Sequence, residues 1–482
     1  MKRKFVTNLA LLLFLNLLIK PFYAFGIDVS VQNAVGSLLY GNFYILLNFS
    51  LIFSIILDLG IENFNRREIA RHQHVLNRYF SYLFPLKLIL GIIYFILCSI
   101  IGYMLGWRAQ EFNLLWVLLF NQFLASFILY LRSNVGGLHM FKIDSFLSVL
   151  DRFVVIVICG FLLLEPVTKN AFRIEWFVYA QTAAYVISAV VAFSVVFSKA
   201  TSFKFQFNLK KNLSFLRKSF PFALLTLFMA AYLRIDSILL GKLLPDGKEQ
   251  AGIYAQSFRI VEILSNYGYL FTIILLPVFS RMIRKKESVE QLSKLSFLLL
   301  FVPAFIITLG CTFYSSQIMD ILYNAHVEES SRVFKILIFS FLGMCTTYIF
   351  GTLLTANGNM KQLNIMALMA VGFNLTLNLI LIPRLGVNGA AITNVSIQCF
   401  TSLVQIALVL KIFKFKVNYS LLARLTVFLV TLIITGILVK KLPWDWYYSF
   451  GLFLTLGTVF SFIFRLFSLK TFYDILTSAE PE

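Results

Sequence analysis

Apolar stretches of about 20 residues recur along the whole chain and are separated by short polar segments. A helix needs about 20 apolar residues to cross the ~30 Å hydrocarbon layer of a membrane. The pattern therefore predicts 14 membrane-spanning helices. Their expected bounds are residues 5–25, 37–59, 80–105, 111–131, 144–164, 175–197, 219–241, 252–279, 295–314, 333–356, 361–383, 387–412, 418–439 and 446–467.

Composition supports this pattern, because 59% of the residues are hydrophobic and only 13% are charged. Soluble domains carry about 25% charged residues. The predicted class is an all-α polytopic membrane protein. The opening MKRK and the apolar run after it resemble a signal peptide. However, Lys20 and Pro21 interrupt the run and no cleavage site follows, so we expect an uncleaved first helix.

The net charge of +20 is distributed unevenly between alternate loops. With the N-terminus in the cytoplasm, the inner segments hold 25 Lys and Arg residues and the outer segments hold ten. This asymmetry is what the positive-inside rule expects, and it predicts that both termini are cytoplasmic. Nucleic-acid binding is not indicated, because the chain offers no soluble domain on which a basic patch could form.

The motifs of common membrane and soluble enzymes are missing. The sequence contains no GxxxxGK[ST] nucleotide loop, no GxSxG and no Asp-rich metal motif,. The five cysteines lack CxxC spacing and the four histidines lie elsewhere, so we expect no disulfide, metal or cofactor. A membrane glycosyltransferase or polymerase needs a sizeable outer loop, whereas the longest loop here covers residues 198–218. We therefore expect a protein that is not an enzyme.

A short internal echo suggests two related halves. Residues 40–44 (YGNFY) open the second predicted span, and residues 251–254 (AGIY) open the eighth. Spans 1–6 and 7–12 are then parallel repeats, an arrangement that transporters use to build a site between two lobes. The predicted organisation is an N-lobe (1–200), a C-lobe (201–416) and a final pair of spans with a cytoplasmic tail (417–482).

Charged residues inside the spans need an explanation, because a base near the bilayer centre costs about 2.5–3.5 kcal/mol on insertion scales. Arg424, Arg465 and Asp58 lie near inner ends, where a long side chain can reach the interface. Deeper positions need a partner or water. The deeper residues are the bases Lys20, Lys87, Arg152, Arg234 and Arg259 and the acids Asp151, Asp236 and Glu262.

Two explanations compete for the deep charges. Arg234 and Asp236 point about 200° apart on a helix, whereas Arg259 and Glu262 share one face. We therefore expect Asp236 to reach Arg259, or Arg234 to reach Glu262, as buried ion pairs that clamp helices.

The alternative is a hydrated cavity that binds an anion. It is favoured for Lys87 and Arg152, because the only acid near their depth is Asp151, which points about 100° away from Arg152. For Lys20 both explanations stay open. Candidate substrate-binding residues are Lys20, Lys87, Arg152, Arg234 and Arg259, and candidates for ion pairing or ion coupling are Asp58, Asp236 and Glu262.

Several segments, in order along the whole chain, resemble the polysaccharide transporter family, the O-antigen and capsule repeat-unit flippases of the multidrug/oligosaccharidyl-lipid/polysaccharide exporter superfamily. They are LYGNFYILLNFSLIFSIILDLGIENFNRREIAR (39–71), RIDSILLG and AGIYAQSFRIVE within 234–262, ILYNAHVEESSRVFKIL (321–337), LTANGNMK (354–361) and NLTLNLILIPRLGVNGAAITNVSIQ (374–398).

This resemblance implies two six-helix lobes, like those of MATE transporters, plus spans 13 and 14, around a central cationic cavity. It also implies alternating access, with an undecaprenyl-pyrophosphate-linked oligosaccharide moved across the bacterial inner membrane. Implied partners are that lipid-linked substrate, membrane lipids, a coupling H⁺ or Na⁺ ion, and other membrane proteins of polysaccharide assembly.

Two alternatives within the superfamily stay open. A flippase for the peptidoglycan precursor shares the pyrophosphate. A cation-coupled drug exporter would favour buried acids over buried bases, which is the reverse of what this sequence has.

Overall fold

The computed structural model describes residues 15–467 except 17, 73, 75, 201–208 and 417, and the predicted start of the first span lies outside this part. Every regular element in the described part is helical. The helices are α1 (Phe22–Asp28, wound as a π-helix), α2 (Val29–Phe53), α3 (Ile61–Arg71), α4 (Leu76–Met104), α5 (Ala109–Gly137), α6 (Phe141–Leu164), α7 (Pro166–Asn170), α8 (Ile174–Lys199), α9 (Leu209–Leu243), α10 (Gly247–Arg284), α11 (Glu290–Phe313), α12 (Ser315–Leu322), α13 (Val327–Leu337), α14 (Ser340–Ala356), α15 (Met360–Leu385), α16 (Val387–Phe413), α17 (Tyr419–Lys440) and α18 (Trp446–Ile463).

Thirteen helical segments of the described part are long and apolar enough to cross a membrane. The first, Leu18–Leu57, has 40 residues and contains an interruption at Gly36, where φ is 79° and ψ is 165°. A positive φ of this kind is accessible to glycine without steric cost. The segment thus holds the end of the first predicted span and nearly all of the second, which confirms a polytopic all-α protein with about 14 spans.

Side chains along the spans match this assignment. Large apolar residues lie exposed on their outer faces, including Ile92, Phe161 and Ile437. Contiguous apolar surface of this extent is not found on soluble monomers. The chain is a multi-pass membrane protein.

The structure divides into two compact units, Met1–Ala255 and Gln256–Glu482. In the first unit, α5 packs against α8 and α3, and α2 packs against α9. Its main apolar cluster joins Phe80 and Leu86 of α4 to Tyr130 and Leu131 of α5 and to Leu147 of α6. The lobe boundaries expected after residues 200 and 416 stay predictions.

In the second unit, α14, α15 and α16 pack together, and α17 and α18 pack on α11. The apolar cluster there includes Val302 and Ile306 of α11, Leu432 of α17 and Phe453 of α18. Small residues allow this close approach, since a Cβ at Gly457 would meet the side chain of Ile306.

Two helix boundaries differ from the sequence expectation. The tenth span, expected over 333–356, consists of α13 and α14 with a bend between them, and α13 begins at Val327. Acidic residues Glu328 and Glu329 in the first turn of α13 suit a helix N-terminus, although hydropathy alone places them outside a span. The second expected span, 37–59, ends in a 3₁₀ turn, Ser54–Leu57.

Candidate functional site

The chain reverses sharply after α2, and this turn positions the first charged pair. Leu59 (φ 45°) and Gly60 (φ 84°) follow the 3₁₀ turn in the left-handed region. Their conformation lets Asp58 fold back: its carboxylate accepts hydrogen bonds from the backbone N–H groups of Gly60 and Glu62, both at 3.1 Å. The N-cap residue of α3 is Gly60, and Asp58 accepts a hydrogen bond from one of the free N–H groups in the first turn of the helix,.

Lys87 on α4 reaches this turn. Its Nζ donates to the Leu57 carbonyl at 2.8 Å, to Asp58 Oδ1 at 3.0 Å and to Ser126 Oγ at 3.0 Å. The Lys87 side chain is only 2% exposed, and that of Asp58 is 28% exposed. An ammonium has three protons to donate, so all three have acceptors in the first unit.

This geometry corrects two expectations. Lys87 does have a carboxylate at its depth, and Asp58 is not simply a side chain that reaches toward the interface. Both expectations rested on residues 37–59 as a single span. The chain instead ends this span in a 3₁₀ turn and reverses at Leu59, which has a positive φ, and this brings the Asp58 carboxylate to Lys87.

The short helix α3 is fixed to α5 by polar and backbone contacts. Asn65 Nδ2 donates to Ser133 Oγ at 2.8 Å, and a Cβ at Gly137 would meet the fully buried Ile69. Glu62 forms an ion pair with Arg66 at 3.2 Å. Burial raises the pKa of the Glu62 carboxyl, and the positive charge of Arg66 opposes this shift only in part.

A second cluster surrounds Arg152 on α6. The guanidinium carbon lies 4.7 Å from the centroid of the Tyr23 ring, and the side chain hydrogen-bonds the Tyr185 hydroxyl. Arg152 Nε lies 3.7 Å from Asp151 Oδ2. Asp151 was expected to point away from Arg152. Their side-chain ends nevertheless approach each other, because the long arginine side chain can reach the neighbouring residue. The distance is still longer than a hydrogen bond of 2.7–3.2 Å.

Lys20 belongs to the same cluster. It lies within electrostatic range of Arg152, Asp151 and Arg132 and is exposed on the surface of the described part. Arg132 in turn donates to Asp144 Oδ1 at 2.8 Å. Arg132 is neutralised by Asp144, and the Asp151 carboxylate lies near both Lys20 and Arg152.

Arg234 on α9 contacts α2. Its Nη1 donates to Asn48 Oδ1 at 2.8 Å, and Asn48 Nδ2 donates to Ser237 Oγ at 3.0 Å. Asn48 is 1% exposed. Sequence reasoning missed Asn48, because a single asparagine does not disturb the hydropathy of a span.

Two buried aspartates of the first unit each accept a hydrogen bond from a tyrosine hydroxyl. Tyr254 donates to Asp236 Oδ2 at 3.0 Å, and Tyr40 donates to Asp28 Oδ2 at 2.9 Å. Asp28 was also missed, because the first span was expected to end at residue 25. The repeat of residues 40–44 and 251–254 gives no signal for Asp28, because the two aspartates lie 12 and 18 residues before their tyrosines.

The start of α10 crosses α2 at two glycines. Gln32 Nε2 donates to the Gly252 carbonyl at 2.9 Å. A Cβ at Gly41 would collide with the Lys248 carbonyl, and one at Gly252 would collide with the Ser37 carbonyl. The two backbones therefore touch, which explains why both echo segments carry a glycine.

In the second unit, Arg259 Nη1 pairs with Glu262 Oε2 at 2.9 Å. This confirms that the two residues share a helix face. The Arg259 side chain is 17% exposed and that of Glu262 is 27% exposed. The expected pairings of Asp236 with Arg259 and of Arg234 with Glu262 stay predictions.

Residues 5–283 match the model of a family described as "Polysaccharide biosynthesis protein". A comparison with curated protein sequences finds no match.

Solved membrane transporters share the fold. The chain is similar to a lipid II flippase, MurJ, in an inward closed conformation, with a TM-score of 0.68, 14% identity, and coverage of 96% of this chain and 100% of that one. For a MATE family multidrug resistance transporter of the MOP superfamily, the TM-score is 0.63 and the identity 16%, with coverage of 81% of this chain and 93% of that one. For a MOP superfamily transporter from Pyrococcus furiosus, described as having a binding pocket of reversed polarity, the TM-score is 0.56 and the identity 15%. The match covers 85% of this chain and 96% of that one.

Proposed function

Because the chain belongs to the polysaccharide biosynthesis protein family, we propose that it is a flippase that moves a lipid-linked oligosaccharide across the bacterial inner membrane. The family match confirms the resemblance drawn from the sequence segments. The proposed substrate is an undecaprenyl-pyrophosphate-linked repeat unit of an O-antigen, capsule or exopolysaccharide, and the proposed mechanism is alternating access. Both termini are proposed to be cytoplasmic.

The observation that carries this proposal is the Arg152 cluster. The side chain of Arg152 is 31% exposed, although it lies within a candidate span, Phe141–Leu164. A guanidinium that faces hydrocarbon costs several kcal/mol, so the exposed part is expected to face water or a ligand. With Lys20 beside it and Asp151 as the nearby acid, the cluster suits an anionic headgroup.

The other cationic residues proposed to bind the headgroup already contact protein groups. Arg234 and Arg259 are bound by an amide and a carboxylate respectively, and we propose that both approach the diphosphate during transport. Lys87 already has three acceptors. Its role as a headgroup ligand stays a prediction, because all three ammonium protons already have acceptors within the first unit.

Transport in this chain has no nucleotide-binding loop to drive it. We therefore propose that an H⁺ or Na⁺ gradient, or the membrane potential, resets the cycle. Asp58, Asp236 and Glu262 stay the coupling candidates. Asp58 and Glu262 each pair with a cationic side chain, so protonation of either would weaken an ion pair.

A second candidate is transport of the peptidoglycan precursor, because the fold is similar to a lipid II flippase over nearly the whole chain. Both substrates carry a diphosphate, so the Arg152 cluster suits either. A cation-coupled drug exporter is a third candidate, and the match to the polysaccharide biosynthesis protein family favours a flippase over it.

The test uses the purified protein in proteoliposomes with an undecaprenyl-pyrophosphate oligosaccharide that carries a fluorophore on its sugar. A membrane-impermeant reductant should bleach the inner-leaflet probe only when the protein is present. An undecaprenyl-pyrophosphate disaccharide-pentapeptide tests the second candidate in parallel. If neither probe crosses faster than in protein-free vesicles, under an imposed H⁺ or Na⁺ gradient or membrane potential, the proposed function is wrong.

A further inference from the structure

Side chains of the helical segment before α1 face side chains of α6 at two successive levels, the first with a hydrogen bond and the second with two like charges. Asn16 Nδ2 donates to Ser148 Oγ at 3.0 Å. Lys20 follows Asn16 by four residues, and Arg152 follows Ser148 by four residues. Lys20 and Arg152 interact electrostatically at the second level. A neutral hydrogen bond thus fixes the register that brings two cations side by side.

Three neutral side chains hold the Arg152 guanidinium in place. Tyr23 presents its ring at 4.7 Å, and Gln181 Nε2 on α8 donates to the Tyr23 hydroxyl at 3.2 Å. Tyr185, one turn after Gln181 on α8, hydrogen-bonds the guanidinium itself. Gln181 is 8% exposed and Tyr185 is 9% exposed, so both are fixed by the surrounding protein.

The combination differs from a structural ion pair. Lys87 is buried and close to its carboxylate at 3.0 Å, whereas Arg152 is 31% exposed and 3.7 Å from Asp151. A cation–π contact and a hydroxyl orient a guanidinium without neutralising its charge. Arginine presents a planar fork of donors that matches carboxylate and phosphate oxygens.

We propose that Tyr23, Gln181 and Tyr185 are positioning residues that hold Arg152, with Lys20 beside it, for contact with an oxyanion of the transported headgroup. The oxyanion is either a phosphate of the diphosphate or the carboxylate of an acidic sugar. This inference rests on the proposed function for its ligand, but its binding test is independent of transport.

The binding test uses the full-length protein in lipid nanodiscs and isothermal titration calorimetry. The probes are farnesyl diphosphate, farnesyl monophosphate and methyl glucuronide, which distinguish the two sources of the oxyanion. Farnesol serves as the uncharged control for binding of the chain alone.

Variants separate positioning from packing. Tyr23→Leu and Tyr185→Phe should each weaken binding of the preferred anion roughly tenfold, through loss of the cation–π contact or of the hydrogen bond. Tyr23→Phe keeps the ring over Arg152 but loses the hydrogen bond from Gln181, so it should weaken binding by less than Tyr23→Leu does. Arg152→Lys should also weaken binding, because an ammonium cannot form a two-point contact. Arg424→Gln, which removes a guanidinium bound to the Arg465 carbonyl, is the matched control and should bind normally.

The thermal unfolding temperature of each variant is measured in the same nanodiscs. A purely structural role would lower this temperature for Tyr185→Phe and leave the affinity unchanged, and that result would overturn the proposal. So would a wild-type protein that binds neither charged probe more tightly than farnesol. If wild type flips the lipid-linked sugar but Tyr23→Leu and Tyr185→Phe bind normally, this inference fails and the proposed function stands. If wild type does not transport the lipid-linked sugar but anion binding depends on Tyr23 and Tyr185, the proposed function fails and this inference stands.

Discussion

The ion pair between Lys87 and Asp58 gives the sharpest test of how the first unit is held together. The perturbation is Lys87→Met, a side chain of similar length without charge. It removes the donor to Leu57, Asp58 and Ser126 at 2.8–3.0 Å. Asp58 is then left without its cation beside apolar protein.

The expected magnitude follows from burial. Removing one partner of a buried ion pair costs about 3–5 kcal/mol. Asp58 is 28% exposed and keeps two backbone donors, so we expect about 3 kcal/mol, at the lower end. Asp58→Asn leaves a buried ammonium with neutral acceptors and should cost about 1–3 kcal/mol. The double variant leaves no unpaired charge and should cost only about 1 kcal/mol, well below the sum of the two single variants, so the two substitutions should couple by about 3 kcal/mol.

The measurement is equilibrium unfolding of wild type, both single variants and the double variant in mixed micelles, combined with the proteoliposome transport test. If Lys87 only fixes the turn before α3, the double variant should regain transport together with stability. If Lys87 also binds the headgroup, stability returns and transport does not. A Lys87→Met protein within about 0.5 kcal/mol of wild type, the range of ordinary surface substitutions, would refute the structural role.

Three further predictions concern the first unit. Gly252→Ala should destabilise the protein by about 1–3 kcal/mol, since its Cβ collides with the Ser37 carbonyl,. The control Gly160→Ala has open space around its Cβ and should be neutral or stabilising in the same unfolding measurement. Equal effects of the two substitutions would contradict the close contact. Tyr254→Phe should cost about 1–2 kcal/mol by removing a donor to the buried Asp236,, and an unchanged melting temperature would show that the bond adds no stability. Because burial raises the pKa of Glu62, the folded protein keeps a proton that the unfolded chain releases above about pH 4.3. The free energy of unfolding should therefore fall as pH rises from about 4.3 to the raised pKa of Glu62 in the folded protein,. Glu62→Gln should reduce this dependence of stability on pH in unfolding titrations, and an identical dependence in both proteins would rule out Glu62 as its source.

Hydropathy was sufficient to predict the class and the approximate spans, because a membrane imposes one simple rule on length and polarity. The shared helix face of Arg259 and Glu262 was also predicted, since residues three apart are neighbours, although their pairing with each other was not. These are properties of a single helix, and a sequence contains all the information that they need.

Contacts between helices were predicted poorly. The Lys87–Asp58 pair depends on a 3₁₀ turn and a positive φ at Leu59, which no periodicity indicates. The Asn16–Ser148 bond joins residues 132 positions apart. Asp28 was assigned to a loop because polar residues after position 25 end the apolar run, although the helix continues through them. In each case the packing of neighbouring segments decides the geometry.

Gly36 has a consequence for the orientation of every later segment. An unbroken helix of 40 residues would be about 60 Å long, twice the ~30 Å thickness of the hydrocarbon layer. The interruption at Gly36 allows two passes instead of one. If the chain made a single pass there, all downstream loops would change sides, and the lysines and arginines now assigned to the interior would have to be translocated. One residue without a side chain thus sets the odd–even parity of the whole topology.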